Sequence, residues 1–88
     1  MDWKIEFDSK VLKDLAKLDK QAAKQIIYYL EEQIKTSDDP RKYGKPLKGS
    51  LKGLWRYRIA DYRIICQIKD KEMLILVAKV GHRKKIYK

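Results

Sequence analysis

From Leu54 onward, apolar side chains occupy every second position. Trp55, Tyr57 and Ile59 alternate with Arg56 and Arg58, and Tyr62, Ile64, Cys66 and Ile68 alternate with Arg63, Ile65 and Gln67. Period two is the repeat of a β-strand with one buried face. This stretch can therefore bury its apolar set only by forming a sheet that is covered on one side and carries guanidinium groups on the other. Ala60-Asp61 provides a two-residue connection, weaker as a turn signal than Asn-Gly, and joins the two runs as a hairpin. Lys69 to Glu72 makes the next turn. Met73 to Val80 is nearly all apolar and reads as a central strand covered on both faces, ended by Gly81 and followed by a short polar tail.

The first half follows other periods. Trp3, Ile5 and Phe7 alternate with Asp2, Lys4, Glu6 and Asp8, a short strand with one buried face. Asp8 and Ser9 are N-cap residue types, and Val11, Leu15 and Leu18 then line one helical face. Asp19 caps a second helix whose apolar stripe is Ala23, Ile26, Ile27, Leu30 and Ile34, supported by a Glu31–Lys35 pair at i, i+4. Pro40 disfavours helical geometry at Asp39, so the helix stops in Ser37-Asp38-Asp39-Pro40. Arg41 to Gly53 has no apolar period and reads as a basic loop. The expected fold is α+β: an N-terminal strand, an antiparallel helix hairpin and a three-stranded antiparallel meander, in one sheet with the helices on one face. Eighty-eight residues leave room for one core, so residues 1–88 read as a single domain.

Charge is distributed unevenly over this plan. Residues 1–40 carry seven lysines and no arginine against nine acids, whereas residues 41–88 carry fifteen lysines and arginines against Asp61, Asp70 and Glu72. The net charge of +10 is thus confined to the second half, where self-repulsion opposes folding unless a polyanion binds. The lone Cys66 has no partner for an internal disulfide and reads as a small buried hydrophobe in a reducing, cytoplasmic setting. One histidine and one cysteine leave no metal-ligand cluster, and no cofactor is implied. No apolar run is long enough to span a bilayer.

With Ala60-Asp61 as the loop, Arg58 faces Arg63 across the hairpin and Arg56 lies one pleat further along the same face. Like charges directly opposite destabilise a strand pair by roughly 0.2 to 1 kcal/mol, and an anion held between them reverses the sign. Arginine suits phosphate because its planar fork binds two oxygens and keeps its charge. Lys45, Lys48, Lys52, Lys84 and Lys85 supply further backbone contacts around this cradle, although a lysine run such as Lys84-Lys85 by itself is the pattern of a solvated surface. His82, Arg83 and Tyr87 follow the last strand. A histidine titrates near neutrality, and guanidinium groups favour a phenolate, so either could move a proton.

These residues make the chain resemble the RelE/ParE superfamily of toxins from toxin–antitoxin operons, in its RelE-like branch. The resemblance covers nearly the whole chain and rests on Lys45-Pro46-Leu47-Lys48-Gly49, Trp55-Arg56-Tyr57-Arg58-Ile59, Asp61-Tyr62-Arg63-Ile64, and Val80-Gly81-His82-Arg83 followed by Tyr87. It implies a ribosome-dependent endoribonuclease that cuts mRNA in the ribosomal A site by 2′-hydroxyl attack, contacts rRNA there, and is neutralised by a cognate antitoxin. By the same resemblance Arg63 stabilises the transition state, Arg83 is an acid or a second clamp, Tyr87 stacks or assists proton transfer, and Lys48 lies at the rim. Several relatives have lysines where this chain has Arg56 and Arg58, and arginine is a poor base; the base is therefore left to His82 or Tyr87. The other branch, ParE-like toxins that poison DNA gyrase, shares the fold and needs no nuclease site.

Overall fold

The computed structural model describes residues 3–82. Strand β1 (Lys4–Phe7) is followed by helices α1 (Ser9–Lys17) and α2 (Lys20–Tyr28), and α2 continues into a wider π-helical turn, Tyr29–Ile34. A 3-10 turn (Pro40–Lys42), strand β2 (Lys45–Pro46) and a second 3-10 turn (Gly49–Leu51) lead to β3 (Trp55–Ile59), β4 (Tyr62–Lys69), a third 3-10 turn (Asp70–Glu72) and β5 (Leu74–His82). The strands form one mixed sheet in the order β1-β5-β4-β3-β2, with β1 parallel to β5 and the other neighbours antiparallel.

The α+β architecture is as the sequence implies, and the helices begin where their caps are. The Asp8 carboxylate accepts the Lys10 amide at 2.9 Å and the Asp19 carboxylate accepts the Gln21 amide at 3.2 Å, satisfying N–H groups that the first turn leaves without partners. Lys35 and Glu31 pair at 3.4 Å, as their spacing implies. Val11, Leu15, Ile26, Leu30 and Ile34 are buried. Ile27 belongs to the expected stripe, yet it is 41% exposed, while Ala22 is buried in its place. Residues spaced by four dominate this face (Ala22, Ile26, Leu30, Ile34), and Ile27 is rotated one position off it. The π turn, closed by the Lys35 amide on the Leu30 carbonyl at 2.9 Å, keeps Leu30 and Ile34 inside while the Tyr29 ring meets Tyr57 at 6.2 Å.

Two readings of the second half need correction. Arg41 to Gly53 is more than a loop: it contains two 3-10 turns and the edge strand β2, so the meander gains a fourth antiparallel strand. Its order comes from β3 and the residue before it. The Tyr57 hydroxyl donates to the Pro40 carbonyl at 2.8 Å, the Trp55 indole N–H donates to the Tyr43 carbonyl, and the Leu47 amide donates to the Leu54 carbonyl at 3.1 Å. The second correction concerns the apolar run. Gly81 does not end β5, which continues through His82, and the strand starts at Leu74 because Met73 takes a left-handed φ of 49°. Ile75, Val77 and Val80 are buried, but Leu74, Leu76 and Ala78 are only half-buried, so β5 is covered on one face.

A register shift explains how three buried residues of β5 share that face. Ile65 pairs with Lys79 and Cys66 with Val77, leaving Ala78 as the extra residue of a β-bulge. The bulge inverts the alternation, so that Val80 lies with Val77 and Ile75 against the helices.

Tyr57 is fully buried, and burial pushes its phenol well above the ordinary tyrosine range. It remains a neutral donor to Pro40. Tyr57→Phe leaves that carbonyl without its partner and is expected to lower the unfolding free energy by about 1 to 3 kcal/mol. Chemical denaturation measures it; an unchanged midpoint would show that the hydroxyl contributes nothing to holding the Pro40–Lys52 segment.

Candidate nucleic-acid interface

The face of the sheet turned away from the helices carries the arginines. The hairpin register pairs Ile59 with Tyr62 and Arg58 with Arg63, so the two-residue turn expected at Ala60-Asp61 is present, with Ala60 at a φ of 52°. Arg63 in turn pairs with Gly81 of β5, a residue without a side chain. The next row on the same face runs from Lys45 through Arg56 and Ile65 to Lys79. Arg58 and Lys79 are exposed, and Arg56 and Arg63 are half-buried.

Arg63 stands apart within this group. Its Nη1 is withdrawn from solvent and has no hydrogen-bond partner. A buried donor left unpaired costs stability, and a guanidinium opposite a second guanidinium, Arg58, adds like-charge repulsion. Neither of the ion pairs Lys35–Glu31 and Arg41–Asp70 involves a cation of these two rows. The arrangement can accept an anion with several oxygens.

Around the arginines, the lysines ride on a pinned segment. Gly44 has a φ of 73°, and a Cβ there would sit 2.1 Å from the Arg56 carbonyl oxygen. Only glycine lets the chain approach β3 this closely, which sets Lys45 opposite Arg56. Lys48 and Lys52 flank the Gly49–Leu51 turn and are exposed. At the other end of the segment Arg41 grips Asp70 bidentately, at 2.7 and 2.9 Å. The hydrogen bonds from Arg41 hold the Asp70 carboxyl below the usual aspartate range and raise the guanidinium in return. One of the few acids of the second half is thereby engaged at the sheet's far end.

His82 is not with the arginines. It pairs with Tyr62, on the helix-side face, where the two rings meet edge to face at 5.9 Å and 82°. Neighbouring residues in a strand project to opposite faces, so the continuation of β5 through Gly81 separates His82 from Arg63. Arg83, Lys84, Lys85 and Tyr87 lie outside the described residues. Lys79 also lies on the arginine face, a position the sequence does not reveal because the apolar run Met73 to Val80 around it has no alternation to read. Cys66 is fully buried, and burial pushes its thiol up, away from the reactive thiolate. An open groove of about 670 Å³ lies on the helix side, lined by Lys24, Tyr28, Tyr29, Gln33 and Ile59 among others; it is separate from the cationic face. Among the described residues no helix is long and apolar enough to cross a membrane.

A five-stranded mixed sheet with two helices on one face is the fold of the solved toxin structures to which this chain is similar. Residues 5–87 match the family profile described as the ParE toxin of a type II toxin–antitoxin system, parDE, and the chain belongs to this RelE/ParE toxin family, in its RelE-like branch. It is 27% identical over 88 residues to Toxin RelG of Mycobacterium tuberculosis, covering 100% of this chain and 99% of that protein. Among solved structures it is similar to the toxin–antitoxin complex RelBE2 of Mycobacterium tuberculosis (24% identity, TM-score 0.86, covering 94% of this chain and 93% of that one), a likeness of fold. It is also similar to the RelB-RelE antitoxin–toxin complex of Methanococcus jannaschii (27% identity, TM-score 0.72, 93% and 94% covered).

The Arg41–Asp70 clamp has a testable titration. A depressed carboxyl pKa stabilises the fold at neutral pH, and that contribution is lost as pH falls through the lowered value. In Arg41→Ala the Asp70 carboxyl, followed by carbon NMR, is expected to titrate at higher pH than in the unaltered protein. Equal midpoints would mean that the pair does not form in solution.

Proposed function

We propose that this toxin is a ribosome-dependent endoribonuclease that cuts mRNA in the ribosomal A site. The observation that carries the reading is the Arg58–Arg63 pair, in register across the hairpin, with an Arg63 nitrogen buried and unpaired. In the reaction the ribose 2′-oxygen attacks the adjacent phosphorus while the bond to the 5′-oxygen breaks. A proton leaves the 2′-hydroxyl and another reaches the 5′-oxygen, giving a 2′,3′-cyclic phosphate and a 5′-hydroxyl end. Charge develops on the non-bridging oxygens in the transition state, and donors fixed in advance stabilise it. Arg63 and Arg58 take that role, with Arg83, the residue after His82, as acid or second clamp and Tyr87 as a stacking or proton-transfer group. His82, turned to Tyr62, is a weaker candidate for the base than Tyr87. The setting is the cytoplasm, and no metal or cofactor takes part.

A cognate antitoxin is the second partner. The similar toxins of Mycobacterium tuberculosis and Methanococcus jannaschii were crystallised with antitoxins, and an acidic segment laid over the cationic face would block the site. The competing reading, inhibition of DNA gyrase without nuclease chemistry, is favoured by the ParE description of the family profile. Ribosomes translating a defined message distinguish the two: A-site cleavage supports the nuclease, whereas intact mRNA with loss of supercoiling supports gyrase.

Arg63→Met separates function from stability. Methionine keeps an apolar stem and removes the unpaired donor, so the variant is expected to melt at or above the temperature of the unaltered protein. Cleavage on ribosomes should fall by about 100-fold or more. A variant that cuts normally would remove Arg63 from the mechanism.

A further inference from the structure

We propose that Lys45, Arg56 and Lys79 form a second phosphate subsite, which seats the RNA phosphodiester next to the one held by Arg58 and Arg63. The inference rests on the nuclease reading and extends it to the path of the RNA backbone. The three cations occupy a single row across the sheet: Lys45 pairs with Arg56, Arg56 with Ile65, and Ile65 with Lys79. Arg58 and Arg63 occupy the adjacent row of the same face. Two residues along a strand separate the rows, about 7 Å at 3.3 to 3.4 Å per residue. That is close to the distance between consecutive phosphates of an extended single strand.

The construction of the second row differs from a solvated lysine surface. Its centre, Ile65, in register with Arg56 and with Lys79, is only 3% exposed, so the floor between the two cations is apolar and already covered. Low-dielectric surroundings strengthen the attraction of both cations for an anion, and long cationic stems lie readily along such a floor. Lys45 is set by a backbone that cannot shift freely, since Gly44 packs against the Arg56 carbonyl and Trp55 holds Tyr43. No cation of the row is engaged in an ion pair with a described residue. Among the described strand residues, the acid on this face is Glu6 of β1, in register with Leu76 rather than with Lys79.

Lys79 is the residue to change, because it is exposed and lies outside the pair assigned to the scissile phosphate. On ribosomes carrying a message with a defined A-site codon, Lys79→Gln is expected to reduce single-turnover cleavage efficiency about tenfold, with Lys79→Arg restoring most of it. A message in which an uncharged methylphosphonate replaces the linkage next to the cut should lose a similar factor with the unaltered toxin. Combined with Lys79→Gln, it should lose little more, whereas Arg63→Met should add its full loss to either message. If Lys79→Gln cuts like the unaltered protein, or if the two losses multiply, the subsite is wrong while the nuclease reading stands. If the unaltered toxin does not cut at all, the nuclease reading fails, and binding of a short single-stranded RNA still tests the row. Lys79→Gln should reduce the slope of log affinity against log salt by about 0.7, and an unchanged slope overturns the subsite.

Discussion

The two-residue turn at Ala60-Asp61 determines which side chains of β3 and β4 share a face. With Ile59 opposite Tyr62, the aromatic and aliphatic residues of both strands turn to the helices, and Arg56, Arg58 and Arg63 turn away together. One residue more in the turn would divide the arginines between faces and drive a guanidinium into the core. The apolar face therefore enforces the cationic one. Burial of Tyr57, Ile64 and Cys66 provides the free energy that holds Arg58 and Arg63 opposed despite their repulsion.

This part of the molecule was legible in the sequence because the alternating residues are chemical opposites. Tyr57 and Arg58 cannot exchange faces without burying a charge, so the parity of β3 is unambiguous. The same logic places the caps at Asp8 and Asp19. It fails at Leu74 to Val80, where an all-apolar run has no parity to read. There the bulge at Ala78 decides which residues face the helices, and a bulge is a backbone event that Ala itself does not announce. The face of Lys79 is set by the same bulge. Proximity in sequence groups His82 with the arginines, whereas its place opposite Tyr62 sets it on the helix side.

The segment from Pro40 to Gly53 was illegible for a different reason. Its order is imposed from outside, by the Tyr57 hydroxyl, the Trp55 indole and Asp70, all distant in sequence. Gly44 was the one local sign. Its positive φ and its contact with the Arg56 carbonyl show a glycine chosen for close approach rather than for flexibility. The lysines of this segment consequently belong to a surface with fixed spacing, and Lys45 enters the same row as Arg56.

Fixed spacing bears on the choice between a nucleic acid and an acidic protein as the partner of this face. A protein surface can supply one carboxylate to an unpaired guanidinium, and total charge does not distinguish that from a phosphate. Two parallel rows of cations, about 7 Å apart along the strands, demand an anion that recurs at the same interval. Alternate side chains of an extended acidic segment recur at that interval too, so the spacing suits the antitoxin proposed for this face as well as a nucleic acid. What distinguishes an RNA backbone is its phosphate, which has oxygens enough to meet Arg63 and Arg58 at once. On the proposed function, the repeat of the sheet as well as its charge would suit the cationic face to a single strand.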